Sequence, residues 1–276
     1  MMTATNPVLQ STPNPLQTML HHAPGLTRAG LLLGLLLIPL TLAQYVDPRT
    51  FQGVSVWVKP TKFAGSLFLY LLTLAWFAQM LPPGFMQRRG IRVFHAIVLT
   101  CIALEMLWIA GASFLGTASH YNRDTIALEI LYGLMGVAAI TLTSATLVHG
   151  RAIWRHRSDP LGRVVGASLI LTFALTLPTA GYLAAQSGHH VGTSVSDAGG
   201  LFLLGWSREV GDLRVAHFFA THAMQFVPAA MAILLWMAGA RIPKGAGLAL
   251  CLGFTALTVG TFVQAIQGQP FLPWLV

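Results

Sequence analysis

Residues 91–115 read IRVFHAIVLTCIALEMLWIAGASFL, and this stretch decides the fold. Its ionisable side chains are Arg92, His95, Cys101 and Glu105; every other position is apolar, small or threonine or serine. As a helix rising about 1.5 Å per residue it reaches about 37 Å, enough to cross roughly 30 Å of hydrocarbon. It has no polar face for a water-exposed amphipathic helix and no alternation for a barrel strand.

Six more stretches share this character, at about 28–46, 62–81, 125–149, 162–186, 214–240 and 246–267. The fold class is therefore all-α: a polytopic integral membrane helical bundle of about seven transmembrane helices, forming a single domain over residues 28–276. Composition agrees, since 55% of the 276 residues are hydrophobic and 9% are charged. A soluble domain carries about a quarter charged residues. Residues 1–27 hold Pro7, Pro13, Pro15 and Pro24 among Asn, Thr and Gln, the composition of a disordered cytoplasmic tail. Arg28 and the Leu-rich run to Leu40 resemble a secretory signal, but the long leader ahead of Arg28 favours a retained first span.

The net charge of +8 comes from sixteen Lys and Arg against eight Asp and Glu. These cations sit in short loops between apolar runs, a positive-inside pattern that argues against a nucleic-acid partner. Ten of them fall on one side: Arg28, then Arg88, Arg89 and Arg92, then Arg151, Arg155, Arg157 and Arg163, then Arg241 and Lys244. Six, among them Lys59, Lys62 and Arg214, fall on the other. That bias places the N-terminus in the cytoplasm and the C-terminus outside, as in a bacterial inner (plasma) membrane protein. Cys101 and Cys251 lie inside apolar runs and offer neither a disulfide framework nor a thiolate zinc site.

Packing signals are the Gly162–Gly166 GxxxG and the pair Ala112 and Gly116, while Pro39, Pro178 and Pro228 lie within spans and loosen local helix bonding. Ionisable groups at membrane depth carry more meaning, because each is expensive there. Glu105, Glu129, His217 and His222 all fall in the outer half of their spans, and Glu105 lies about 21 Å along its helix. The adjoining external loops add Ser119-His120-Tyr121-Asn122, Gly188-His189-His190 and Gly211-Asp212. Imidazole and carboxylate together are donors for iron, zinc, copper or manganese. His217, His222 and His120 are thus candidate metal ligands, and Glu105 and Glu129 candidate catalytic acids or proton carriers. His217 and His222 are turned about 140° apart on one helix, so they do not form an HxxxH pair.

A second set lies on the cytoplasmic side. His95 is one turn into its span and His149 ends the next, and consecutive spans pack antiparallel, so the two can meet at one depth. Two facing histidines are the minimal axial pair of a haem b. Interhelical hydrogen bonding is the plainer reading of all these groups. The start Ile91-Arg92-Val93-Phe94-His95 also parallels Leu213-Arg214-Val215-Ala216-His217, as an inverted three-helix repeat would. Residues 187–213 form the longest loop, and its apolar stretch Leu201–Trp206 is expected to dip into the interface over the outer cluster.

No Walker loop, dinucleotide fingerprint or nucleophile elbow is present. The leading expectation is a membrane redox protein holding haem or a transition metal and acting on quinone or another lipophilic substrate. The alternatives are a proton-coupled transporter and a metal-dependent intramembrane hydrolase. Expected partners are membrane lipid or quinone, and a homo-oligomer.

Overall fold

A computed structural model describes residues 14–193, 196–238 and 241–275. Seven of its helices are long and apolar enough to cross a membrane. They are α2 (Pro24–Val46), α3 (Val58–Phe77, continued by a 3-10 turn to Met80), α4 (Arg89–Phe114), α5 (Ile126–His156), α6 (Pro160–Ala185), α7 (Leu213–Ala238) and α8 (Ala246–Ile266). A short helix α1 (Pro15–His22) precedes them. Two-residue strands pair as β1 (Thr50–Phe51) with β2 (Val54–Ser55), and β3 (His190–Val191) with β4 (Gly211–Asp212). The expected all-α membrane bundle is what the chain forms.

The stretch expected as a tail differs from residue 14 onward; residues 1–13, with Pro7 and Pro13, lie outside the described residues. Pro15 and Pro24 both occupy first-turn positions, where a missing N–H costs nothing and the fixed φ favours a helix start. Asn14 accepts a hydrogen bond from the Leu16 N–H, Ala23 breaks the chain between the two helices, and Met19 packs against the core. α5 also runs on to His156, beyond the expected end at 149, because the basic turn Arg151–Arg155 continues the helix past the apolar run.

Each consecutive pair of spans packs side by side, and α6 also touches α8. Gln225 on α7 donates to Thr73 Oγ1 on α3 at 3.1 Å, closing α3 to α7 into a ring. The core runs through α2, α3, α4, α5 and α6, with Leu71, Leu74, Val98, Ile153 and Leu169 fully buried. Leu107 and Trp236, 72% and 86% exposed, face outward where lipid tails would lie.

Glycines set the closest approaches. A Cβ on Gly150 would stand 2.8 Å from the Gly166 carbonyl oxygen, and one on Gly166 would stand 2.7 Å from the Trp154 nitrogen, so α5 and α6 touch backbone to backbone. Gly162 does not join this contact; it sits in the turn, where Asp159 accepts its N–H and caps α6. Gly116 differs likewise from its expected packing role. It takes φ +69° after α4, with Gly116 N–H bonding Ser113 O and Thr117 N–H bonding Ala112 O, a glycine-terminated helix end.

Gly166→Leu is expected to force α5 and α6 apart, lowering the thermal unfolding midpoint in detergent by several degrees for an overpacking cost of about 1–3 kcal/mol. Gly133→Ala, with nothing within 4 Å of the added Cβ, should leave the midpoint unchanged or raise it slightly. Equal midpoints for both variants would show that the backbone contact is not limiting.

Candidate functional site

The described residues between α6 and α7 fold back on the end of the bundle where α6 stops and α7 starts, and the pairing of His190 with Asp212 through β3 and β4 decides where they go. Gly211 lies so near the Ala265 carbonyl of α8 that a side chain would collide there, so the strand pair is pressed onto the bundle. Asp212 is 1% exposed and accepts four kinds of donor: the Ser207 N–H, the Arg214 N–H, and Arg214 Nε and Nη2 at 2.9 and 2.7 Å. Nη2 of Arg214 also donates to Gly205 O and contacts Asp197 Oδ1, both at 2.8 Å. One guanidinium at the start of α7 thus gathers three separate parts of the loop.

Asp197 is where imidazoles collect. Its Oδ1 lies 3.0 Å from His189 Nε2 and 3.6 Å from His190 Nε2, and the two rings stand 4.2 Å apart. His189, His190 and Asp197 each offer one donor atom, all within 4.8 Å of one another, so this group could hold a metal ion. Donors around an ion bound at about 2.0–2.2 Å stand roughly 3–3.6 Å apart, close to the two separations observed. Burial alone would raise the Asp197 carboxyl, but the hydrogen bond from His189 and the charge of Arg214 hold it down at about 2. Burial, with His189 beside it, lowers the His190 imidazole below its usual value. At neutral pH the carboxylate is ionised and the His190 ring neutral, the states a metal requires.

The residues singled out from sequence distribute differently. Glu105 is 5% exposed on α4. Close by, Lys59 Nζ stands 3.1 Å from His120 Nδ1, and the Ser119 hydroxyl oxygen lies 3.2 Å from the same nitrogen. With an ammonium as donor, Nδ1 of His120 is the acceptor, and burial together with the Lys59 charge drops this imidazole to about 3. His217 and His222 stay on α7 inside the bundle; Nδ1 of His217 is buried without a partner, and the His222 ring lies tilted against Phe218 with centroids 4.3 Å apart. Neither joins His120 in a three-ligand group among the described residues. Glu129 is exposed in the first turn of α5 beyond the Thr125 cap, where a carboxylate complements the helix dipole. That position removes it from the buried set.

His95 and His149 do meet, with their Nε2 atoms 2.9 Å apart. The apolar loop segment splits in two: Trp206 is 5% exposed against Phe218 and Phe271, whereas Phe202 at the hairpin tip is 96% exposed. Lys62 Nζ tethers the hairpin by donating to Leu204 O at 2.8 Å. Sequence reasoning noted His189 and His190 as loop residues and missed Asp197 and Arg214. The available signal was an acid seven residues beyond a His-His pair in one loop.

Compared with known proteins, the chain matches no family model, and neither the characterised proteins nor the solved structures contain a significant match. Geometry alone therefore defines its class, a helical membrane bundle with a His/Asp group that could hold a metal ion at the end where α6 meets α7.

Asp212→Asn is expected to weaken the hold on Arg214 and free the loop, raising limited trypsin cleavage at Arg208 about tenfold while the spans stay protected. An unchanged cleavage rate would mean that the loop is held by the strand pair alone.

Proposed function

We propose that this protein is an integral membrane metalloprotein with a redox role, binding one first-row transition-metal ion through His189, His190 and Asp197. The observation that carries the reading is the convergence of two imidazoles and one carboxylate within 4.8 Å. Two histidines and one carboxylate leave coordination positions open, as in non-haem iron(II) sites. Arg214 now neutralises Asp197 at 2.8 Å, so metal entry replaces that contact while the Arg214–Asp212 pair remains. The exposed Phe202 and Leu203 beside the site favour a lipophilic substrate of the quinone type, arriving from the bilayer. The basic clusters at the opposite end fit a bacterial inner membrane with the metal group outside.

The test is metal analysis of the detergent-purified full chain after chelator treatment and reloading with Fe2+, Mn2+ or Zn2+. Wild type should retain about one equivalent more than Asp197→Ala or His190→Ala, whose affinity should fall at least about tenfold. Equal retention by wild type and Asp197→Ala overturns the assignment. Retention of zinc with iron excluded would keep the site and overturn the redox role.

A further inference from the structure

The end of the bundle opposite the His/Asp group is basic. Ten Lys and Arg gather there against a single acid, Asp159, and that acid is already taken, since Arg157 holds it at 2.6 Å and it caps α6. Cations at a membrane edge with no acids beside them attract anions from outside the chain.

Two of these cations frame a space. Arg89 and Arg92 are exposed in the first turn of α4, and among the described residues neither side chain has a hydrogen-bond or ion-pair partner. With Val93 and Ala96 they line an open hollow of about 480 Å³ on the outside of the bundle. Arg88 beside them is engaged elsewhere, over the Phe85 ring at 5.6 Å. The hollow has a guanidinium rim toward the helix start and an apolar wall farther along α4.

Its level in the membrane follows from the neighbouring helix. α4 and α5 run in opposite directions, and the Nε2 atoms of His95 and His149 are 2.9 Å apart, so these two residues mark one depth. Toward the basic end, Trp154 lies five residues beyond His149, while Arg92 and Arg89 lie three and six residues beyond His95. At about 1.5 Å per residue Trp154 stands about 7.5 Å outward, between the two arginines at about 4.5 and 9 Å. Trp154 is exposed, with the Arg163 guanidinium over its ring at 5.0 Å. Tryptophan at the rim of a span sits at the level of the lipid headgroups, so Arg89 and Arg92 stand where phosphates lie.

Beyond the hollow the outer face of α4 continues as hydrocarbon. Val93, Ile97, Leu104 and Leu107 are exposed at spacings that keep them on one face of the helix. From Val93 to Leu107 this face extends about 21 Å, longer than the roughly 15 Å depth of one leaflet. A ligand seated in the hollow therefore meets guanidinium at its head and apolar surface along its tail. A soluble anion matches the head alone, and a zwitterionic lipid brings a cation of its own to the rim. An anionic phospholipid matches both, and guanidinium forks suit phosphate oxygens through paired N–H donors.

We propose that the Arg89–Arg92 hollow binds one anionic phospholipid, its phosphate held by the two guanidiniums and an acyl chain laid along Val93, Ile97 and Leu104. The site is independent of the metal group at the opposite end.

The experiment titrates delipidated full-length protein in non-ionic detergent with phosphatidylglycerol and with phosphatidylcholine, and counts bound lipid by native mass spectrometry. Wild type should bind one phosphatidylglycerol at least about tenfold more tightly than phosphatidylcholine, each arginine near the headgroups being worth roughly fivefold. Arg89→Gln combined with Arg92→Gln should abolish the preference. Ala96→Phe fills the hollow, keeps both charges and should weaken phosphatidylglycerol binding. Arg241→Gln combined with Lys244→Gln removes the same charge from the same end outside the hollow, and should keep the preference. Equal loss in this control overturns the proposal, because the attraction would then belong to the basic end as a whole. Equal wild-type affinity for the two lipids, or binding unaltered by Ala96→Phe, overturns it as well. Displacement of the lipid by an equal concentration of inorganic phosphate would assign the hollow to soluble anions instead.

Discussion

A charged side chain that folding takes largely out of water has to find opposite charge within hydrogen-bonding distance, because burial removes the water that would solvate it. Arg214 meets this constraint at the first turn of α7 by reaching Asp212, Asp197 and the Gly205 carbonyl at once. The α6–α7 loop follows from that solution. With Asp212 fixed, β4 pairs with β3, His190 is set opposite it, and His189 and Asp197 close in from either side. A single guanidinium therefore organises most of the polar architecture at that end, and the long α6–α7 connection takes a defined course instead of drifting in the headgroup region.

Much of the bundle was legible in the sequence because span length and apolarity are imposed by the bilayer and need no tertiary information. The seven spans fall within a few residues of their expected positions, apart from α2, which starts earlier at Pro24, and α5, which runs on to His156. The errors share one cause, which is that a residue type was read without its local partner. Pro15 and Pro24 looked like breakers and are helix starts; Gly116 looked like a packing residue and is a helix stop. Glu129 stands at the start of its span as expected, but on the exposed face of the first turn of α5, apart from the buried acid Glu105.

The site residues divide along the same line. His95 and His149 could be paired in advance, since antiparallel neighbours joined by a short loop place equal depths side by side. Asp197 could not, because nothing in a 27-residue connection specifies which acid returns to which histidine until the β3–β4 pairing is known. His120 shows the reverse case. Its residue type suggested a ligand, but the Lys59 ammonium occupies its Nδ1 lone pair.

The two polar ends also differ in how they exchange with their surroundings. His189 and His190 lie partly open, and the loop that carries them is tied down by a handful of polar contacts. His149 has no exposed surface at all, enclosed between His95 of α4 and the Phe85 ring. Any species that reaches His149 must wait for the helices to separate, an event set by the opening of the bundle and not by the concentration outside. A species that reaches His189 or His190 needs only the loop to yield.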